Sequence, residues 1–130
     1  MPKKALISIV DDNESVREAM KGLMKSLGFS AESFSSAEDF LRSSGKNSTA
    51  CLIADVQMPG MSGLELHRQL VASGMPIPTV LITAYPDERM RKRALQDGVV
   101  CYLLKPCSEN DLLACIRSIP GLSNTNGQGT

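Results

Sequence analysis

The 130-residue chain has a single histidine, His67, and no Cys-x-x-Cys pair among its four cysteines, so it lacks the ligand spacing of a zinc site. Cys51, Cys101, Cys107 and Cys115 therefore read as reduced, mostly buried thiols of a cytosolic protein. Charge of one sign is missing too. Fourteen Lys plus Arg balance fourteen Asp plus Glu, which leaves no bulk attraction to nucleic acid or an anionic membrane. Long apolar runs are also absent: the opening Met1 to Val10 stretch stops at Asp11-Asp12, too early for a secretion signal or a spanning helix, and the expected location is the cytoplasm. The length excludes a regulator and a separate DNA-reading domain in one piece, since domains run to roughly 100–200 residues. With 42% hydrophobic and 22% charged residues, the composition is that of one globular unit with a core.

What is present is an alternation of short apolar runs with longer segments of helical period. Strands are predicted at Ala5–Val10, Ala31–Phe34, Cys51–Asp55, Thr79–Thr83 and Val99–Leu104. Runs such as Leu6-Ile7-Ser8-Ile9-Val10 do not alternate with polar residues, as expected of parallel strands covered on both faces. Val16, Met20, Leu23, Met24 and Leu27 give the first helix, which stops at Gly28; Gly74, Gly98 and Gly121 punctuate three later ones. A second helix is predicted at Ala37–Ser43, opened by a capping box of Ser35 with Glu38. The others are predicted near Gly63–Ala72, Asp87–Gln96 and Glu109–Ile119. The domain then covers residues 4–120, and 121–130 read as a polar tail or the start of a linker.

Right-handed crossovers bring the C-terminal ends of parallel strands to one edge. That edge collects Asp11-Asp12 after the first strand, Asp55 after the third, Thr83 after the fourth and Lys105-Pro106 after the fifth. Taken singly, each has an ordinary explanation: Asp at turns and caps, Thr at a strand end, Lys in solvent. Together they form three carboxylates, a hydroxyl and an amine in one pocket. Carboxylates so gathered repel unless a cation intervenes, and a hard divalent ion suits them. Mg²⁺ fits, with Asp12 and Asp55 as direct ligands and Asp11 acting through water.

Asp11-Asp12, Asp55-Val56-Gln57-Met58-Pro59-Gly60-Met61-Ser62-Gly63, Thr83-Ala84 and Lys105-Pro106 resemble the signature of bacterial two-component response-regulator receiver domains, over about residues 4–120. The Met58 to Leu66 phrase is similar to receivers of the nitrogen-fixation type, which commonly precede a helix-turn-helix output domain. The resemblance implies a doubly wound α/β fold, a five-stranded parallel sheet in the order 2-1-3-4-5 flanked by five helices. It implies Asp55 as the phosphoacceptor for a sensor histidine kinase, with Mg²⁺ held by Asp11, Asp12, Asp55 and the backbone carbonyl of Gln57. Lys105 and Thr83 would contact the phosphoryl oxygens, Thr83 and Tyr102 would act as the switch pair, and Lys105-Pro106 would be cis. Output would be read on the face of helix four, strand five and helix five, by a partner or a second copy in a phosphorylation-dependent homodimer; the usual kinase contact lies on helix one, near Val16 and Met20. The domain would catalyse its own phosphotransfer and dephosphorylation, with Gln57 and Tyr85 tuning the lifetime of the phosphorylated state.

Other readings fit less well. A Rossmann-type nucleotide binder needs a glycine-rich first turn, and Asp11-Asp12-Asn13-Glu14 is acidic. A haloacid-type phosphatase needs an Asp two residues after its nucleophile, where Gln57 stands. A receiver used only as a passive interaction module would not need the acidic pair, Asp55, Thr83 and Lys105 intact. The locally basic fourth-helix segment Asp87-Glu88-Arg89-Met90-Arg91-Lys92-Arg93 reads first as a solvated helix face.

Overall fold

A computed structural model describes residues 4–122. The strands are β1 (Leu6–Val10), β2 (Ser30–Phe34), β3 (Thr49–Asp55), β4 (Thr79–Thr83) and β5 (Cys101–Leu104). The helices are α1 (Glu14–Ser26), α2 (Ala37–Arg42), α3 (Gly63–Ala72), α4 (Glu88–Gln96) and α5 (Glu109–Arg117), and a 3₁₀ turn over Ser44–Ser48 leads into β3. All strand pairings are parallel, in the order β2-β1-β3-β4-β5, the predicted doubly wound arrangement.

The uninterrupted apolar runs are explained by burial on both sides of the sheet. Ile7, Ile9, Cys51, Ile53, Val80 and Ile82 face a layer supplied by Met24 of α1 and Leu112, Cys115 and Ile116 of α5. Leu52, Ala54 and Leu81 face the opposite layer, with Phe40 of α2, Leu66 and Leu70 of α3 and Ala94 of α4. Phe34 and Phe40 meet edge to face, ring centroids 5.3 Å apart, which seats α2 on β2. His67 on α3 is 4% exposed and its burial lowers its pKa from 6.5, so it is neutral at pH 7.

Each helix starts on a side-chain cap: Asn13, Ser36, Ser62, Asp87 and Ser108 accept a backbone N–H from the first turn of α1 to α5. The cap of α2 is one residue later than predicted. Ser36 accepts from the Asp39 N–H, while Ser35 donates to the Asp39 carboxylate and Glu38 turns away to another loop. The capping box lies instead at α3, where the Ser62 hydroxyl and the Glu65 carboxylate each accept the other's backbone N–H. β5 begins two residues later than predicted because the Val99 N–H closes α4 on the Ala94 carbonyl after Gly98, at φ +97°.

The expectation of four reduced cysteines needs correcting. Cys101 and Cys115 are joined as a disulfide, with Cα atoms 6.1 Å apart; only Cys51 and Cys107 are free. Consecutive elements β5 and α5 pack on one another and bring together two residues whose separation in sequence carries no pairing motif. Burial pushes the Cys51 thiol up to about 12, which makes it inert. The packed unit also reaches past residue 120: Leu122 is 4% exposed and lies in the core, and the rest of the expected tail is outside the described residues. Among the described residues no helix is long and apolar enough to cross a membrane.

Candidate functional site

The C-terminal ends of β1, β3, β4 and β5 bring the predicted residues together. At the end of β1 the chain is pinned by the Asp11 N–H donating to the Phe34 carbonyl at 3.1 Å and by Arg17 donating to the Asp11 carbonyl at 2.9 Å. The Asp11 carboxylate accepts the Asn13 N–H at 2.9 Å, which fixes its rotamer as α1 begins. Asp55 is held in the same way by the Gln57 N–H at 3.0 Å. Asp11 and Asp55 are 4% and 8% exposed, Asp12 is exposed, and one carboxylate oxygen of each lies within 4.8 Å of the others.

Lys105 reaches this cluster from beyond β5. Its Nζ donates to Asp55 Oδ2 at 2.8 Å and to Asp11 Oδ2 at 3.0 Å. The loop that carries it is anchored by the Lys105 N–H on the Thr83 carbonyl at 2.7 Å, and the Lys105-Pro106 bond is cis. Burial raises the Asp55 pKa above 3.8, against the hydrogen bonds from Lys105 and the Gln57 N–H, and the Asp11 charge pushes the same way. Burial alone would lower the Lys105 pKa, but its two carboxylate partners more than offset this and raise it above 10.5. The amine is therefore a permanent cation at neutral pH. One cation still leaves the pocket with an excess of negative charge, which is the electrostatic condition for a further positive ion.

The donor set fits Mg²⁺. The three clustered side chains all offer hard carboxylate oxygens, and the exposure of Asp12 leaves room for the waters that this ion retains. Asp11, Asp12 and Asp55 would hold it; the Gln57 backbone follows Asp55 in the same loop.

Thr83 is fully buried at the end of β4, and its hydroxyl donates to Gln57 Oε1 at 2.9 Å while accepting the Tyr85 N–H at 3.1 Å. Tyr102 is half-buried against the α4 side of the sheet, where it lines a cavity of about 300 Å³ with Pro86, Asp87, Arg91 and Leu104. Tyr85 beside the site is 65% exposed.

Three contacts at the site were not identified from sequence. Glu38 accepts the Met61 N–H at 3.2 Å and so braces the loop after Asp55 from α2; its spacing from Ser35 suggested a cap instead. Arg17 and the side chain of Gln57 act on Asp11 and Thr83 through contacts that no local pattern announces. Gly63 has a visible reason. A Cβ there would sit 2.5 Å from the Asp55 carbonyl oxygen and 2.9 Å from Leu81 Cδ2. Gly63→Ala is therefore expected to lower stability by about 1–3 kcal/mol, the usual cost of overpacking, and to displace the end of β3. Denaturant unfolding checks this; a midpoint equal to that of the parent would refute it.

Comparison with known proteins points the same way. Residues 7–117 match the family described as the response regulator receiver domain. The chain is 41% identical over 116 residues to the response regulator protein TodT of Pseudomonas putida, covering 89% of this chain and 51% of that protein. It is 31% identical over 128 residues to the transcriptional regulatory protein FixJ of Azorhizobium caulinodans, covering 98% of this chain and 61% of that protein. Among solved structures, response regulator StyR superposes with a TM-score of 0.83 at 41% identity, covering 96% of this chain and 62% of that one. The chain thus spans between half and two-thirds of the length of these relatives.

Proposed function

The chain belongs to the response regulator receiver domain family, the phosphoacceptor modules of two-component signalling, and from that premise we propose that Asp55 is its phosphorylated residue. The observation that carries the reading is the convergence of Asp11, Asp12, Asp55 and Lys105 from three strand ends onto one pocket, with Thr83 at the end of the adjoining strand β4. An Asp55 carboxylate oxygen attacks the phosphorus of a kinase phosphohistidine, a bond to that oxygen forms as the phosphorus–nitrogen bond breaks, and the histidine leaves. Lys105, already on Asp55, shifts to a phosphoryl oxygen and offsets its charge. Mg²⁺, when bound, neutralises the charge shared between the carboxylates and the transferred group. Thr83 then donates to a phosphoryl oxygen, and Tyr102 follows it inward. The domain would also admit the water that hydrolyses its own acyl phosphate, with Gln57 and Tyr85 controlling access to it.

The reading calls for two partners. A sensor kinase would dock over α1, where Val16, Met20 and Leu23 line a groove of about 510 Å³ with Pro106, Cys107 and Leu112. A second copy would pair across α4, β5 and α5, where Leu95 and Leu104 are exposed beside the basic run of α4. Among the described residues that run is tied internally by one ion pair, Arg91 with Glu88 at 3.0 Å. A phosphorylation-dependent homodimer on this face would pass the signal to an output domain outside this chain, which in a regulator of transcription binds DNA. The reading places the protein in the cytoplasm, with Mg²⁺ as its cofactor.

Metal binding has a simple check. Mg²⁺ is expected to raise thermal stability by about 2.7 kcal/mol at a hundredfold excess over its dissociation constant, following mass action on the folded state. Asp12→Asn should remove most of that shift while leaving metal-free stability close to the parent's, because Asp12 is exposed. Unfolding with Mg²⁺ and with Na⁺ at equal ionic strength measures both; identical curves would argue against a metal site here.

A further inference from the structure

Thr83 has one hydroxyl proton, and its position decides what the residue can do. The proton points to Gln57 Oε1 at 2.9 Å; the other acceptor in reach, the Tyr85 carbonyl, is longer at 3.4 Å. The hydroxyl oxygen is occupied as well, by the Tyr85 N–H at 3.1 Å. Thr83 is fully buried, so water cannot take over these bonds cheaply. Gln57, by contrast, has an exposed side chain tethered at its backbone to Asp55 Oδ1.

We propose that the Gln57 side chain is a latch on Thr83: a positioning residue that holds the hydroxyl away from the acceptor site until a phosphoryl group competes for its proton. This rests on the reading of Asp55 as phosphoacceptor. It adds that the threonine is held by a specific acceptor in the resting state, so part of the phosphoryl group's binding energy is spent on releasing it. The latch sits in the loop that immediately follows Asp55, so phosphorylation and release are felt by one short segment, Asp55-Val56-Gln57. Loss of the acceptor should favour the switched state in proportion to one neutral hydrogen bond. Its net value corresponds to about two- to tenfold in an equilibrium constant.

The test uses beryllofluoride with Mg²⁺ as a phosphoryl mimic and reads its dissociation constant. Gln57→Met keeps the length of the side chain and removes the acceptor. It should bind the mimic about two- to tenfold more tightly than the parent. The gain should persist with Thr83→Ser, which keeps the hydroxyl, and vanish with Thr83→Ala, which does not. Backbone amide resonances of Thr83 and Tyr85 in the unliganded Gln57→Met protein should move toward their positions in the mimic complex. Equal affinity of Gln57→Met and a parent that does bind the mimic overturns the latch and leaves the phosphoacceptor reading standing. A gain that survives Thr83→Ala also overturns it, because the effect would not pass through the hydroxyl. If the parent fails to bind beryllofluoride at all, the phosphoacceptor reading falls and takes the latch with it.

Discussion

Asp55→Asn is expected to abolish covalent labelling by acetyl phosphate in the presence of Mg²⁺, with the fold intact. The amide has nearly the same shape as the carboxylate, and its oxygen can still accept the Gln57 N–H that fixes residue 55 at the end of β3. It cannot act as a nucleophile, and in the proposed reading Asp11 and Asp12 serve the metal and do not take the phosphoryl group. The stability of this variant also has a definite sign. Asp55 has a folded-state pKa above its ordinary 3.8, chiefly because it is buried. Such a group contributes stability that is present below 3.8 and lost as the pH rises through the folded value. At neutral pH the parent carries that cost, and the neutral amide does not. Metal-free Asp55→Asn should therefore unfold no earlier than the parent at pH 7, and Mg²⁺ should stabilise it less. Intact-mass analysis after treatment with the phosphodonor decides the first point; a phosphoryl adduct at parental yield would remove Asp55 from the reaction.

The strand ends were legible because parallel topology makes position in the sheet a function of position in the strand. Once the alternating runs are read as β1 to β5, Asp11, Asp12, Asp55, Thr83 and Lys105 must share an edge, whatever their separation in sequence. The two-sided burial of the strands was equally visible in the unbroken run from Leu6 to Val10. Chain reversals were less legible, because Ser35 and Ser36 are chemically equivalent caps and only the path of β2 into α2 chooses between them. The Cys101–Cys115 pairing was hidden for a different reason, since it depends on how α5 lies on β5 and not on spacing. Side-chain choices such as Gln57 turning to Thr83, or Glu38 reaching the Met61 N–H, are settled by partners 26 and 23 residues away. They belong to tertiary packing, which local patterns do not encode.

Lys105→Met should show how far the pocket depends on a cation. The substitution keeps an unbranched chain of similar length but leaves Asp11 and Asp55, both nearly buried, without the amine that bridges them at 3.0 and 2.8 Å. Breaking a buried pair by deleting one partner typically costs 3–5 kcal/mol; with the Lys105 side chain 25% exposed, a loss of about 3 kcal/mol at neutral pH is expected without metal. The loss should depend on pH in a specific way. Without its hydrogen bond from Lys105, Asp55 rises further above 3.8, so the variant recovers stability as acidification through that raised value protonates the carboxyl. In the parent, Lys105 has a pKa above 10.5 and contributes stability that is present below 10.5 and lost only as the pH climbs through the folded value. The difference between the two proteins should thus be largest near neutrality and shrink toward acid and toward strong alkali. Mg²⁺ should narrow it as well, because a second cation can take over the neutralisation of Asp11 and Asp55, but it should not restore phosphotransfer. Loss of the amine at the phosphoryl oxygen is expected to slow labelling by about 100-fold, the effect of removing one preorganised donor to developing charge. Denaturant unfolding across pH, with and without Mg²⁺, and single-turnover labelling test the two halves separately. Unchanged metal-free stability at neutral pH would show that the bridge is electrostatically idle, and a parental labelling rate would place the amine outside the phosphoryl-transfer step.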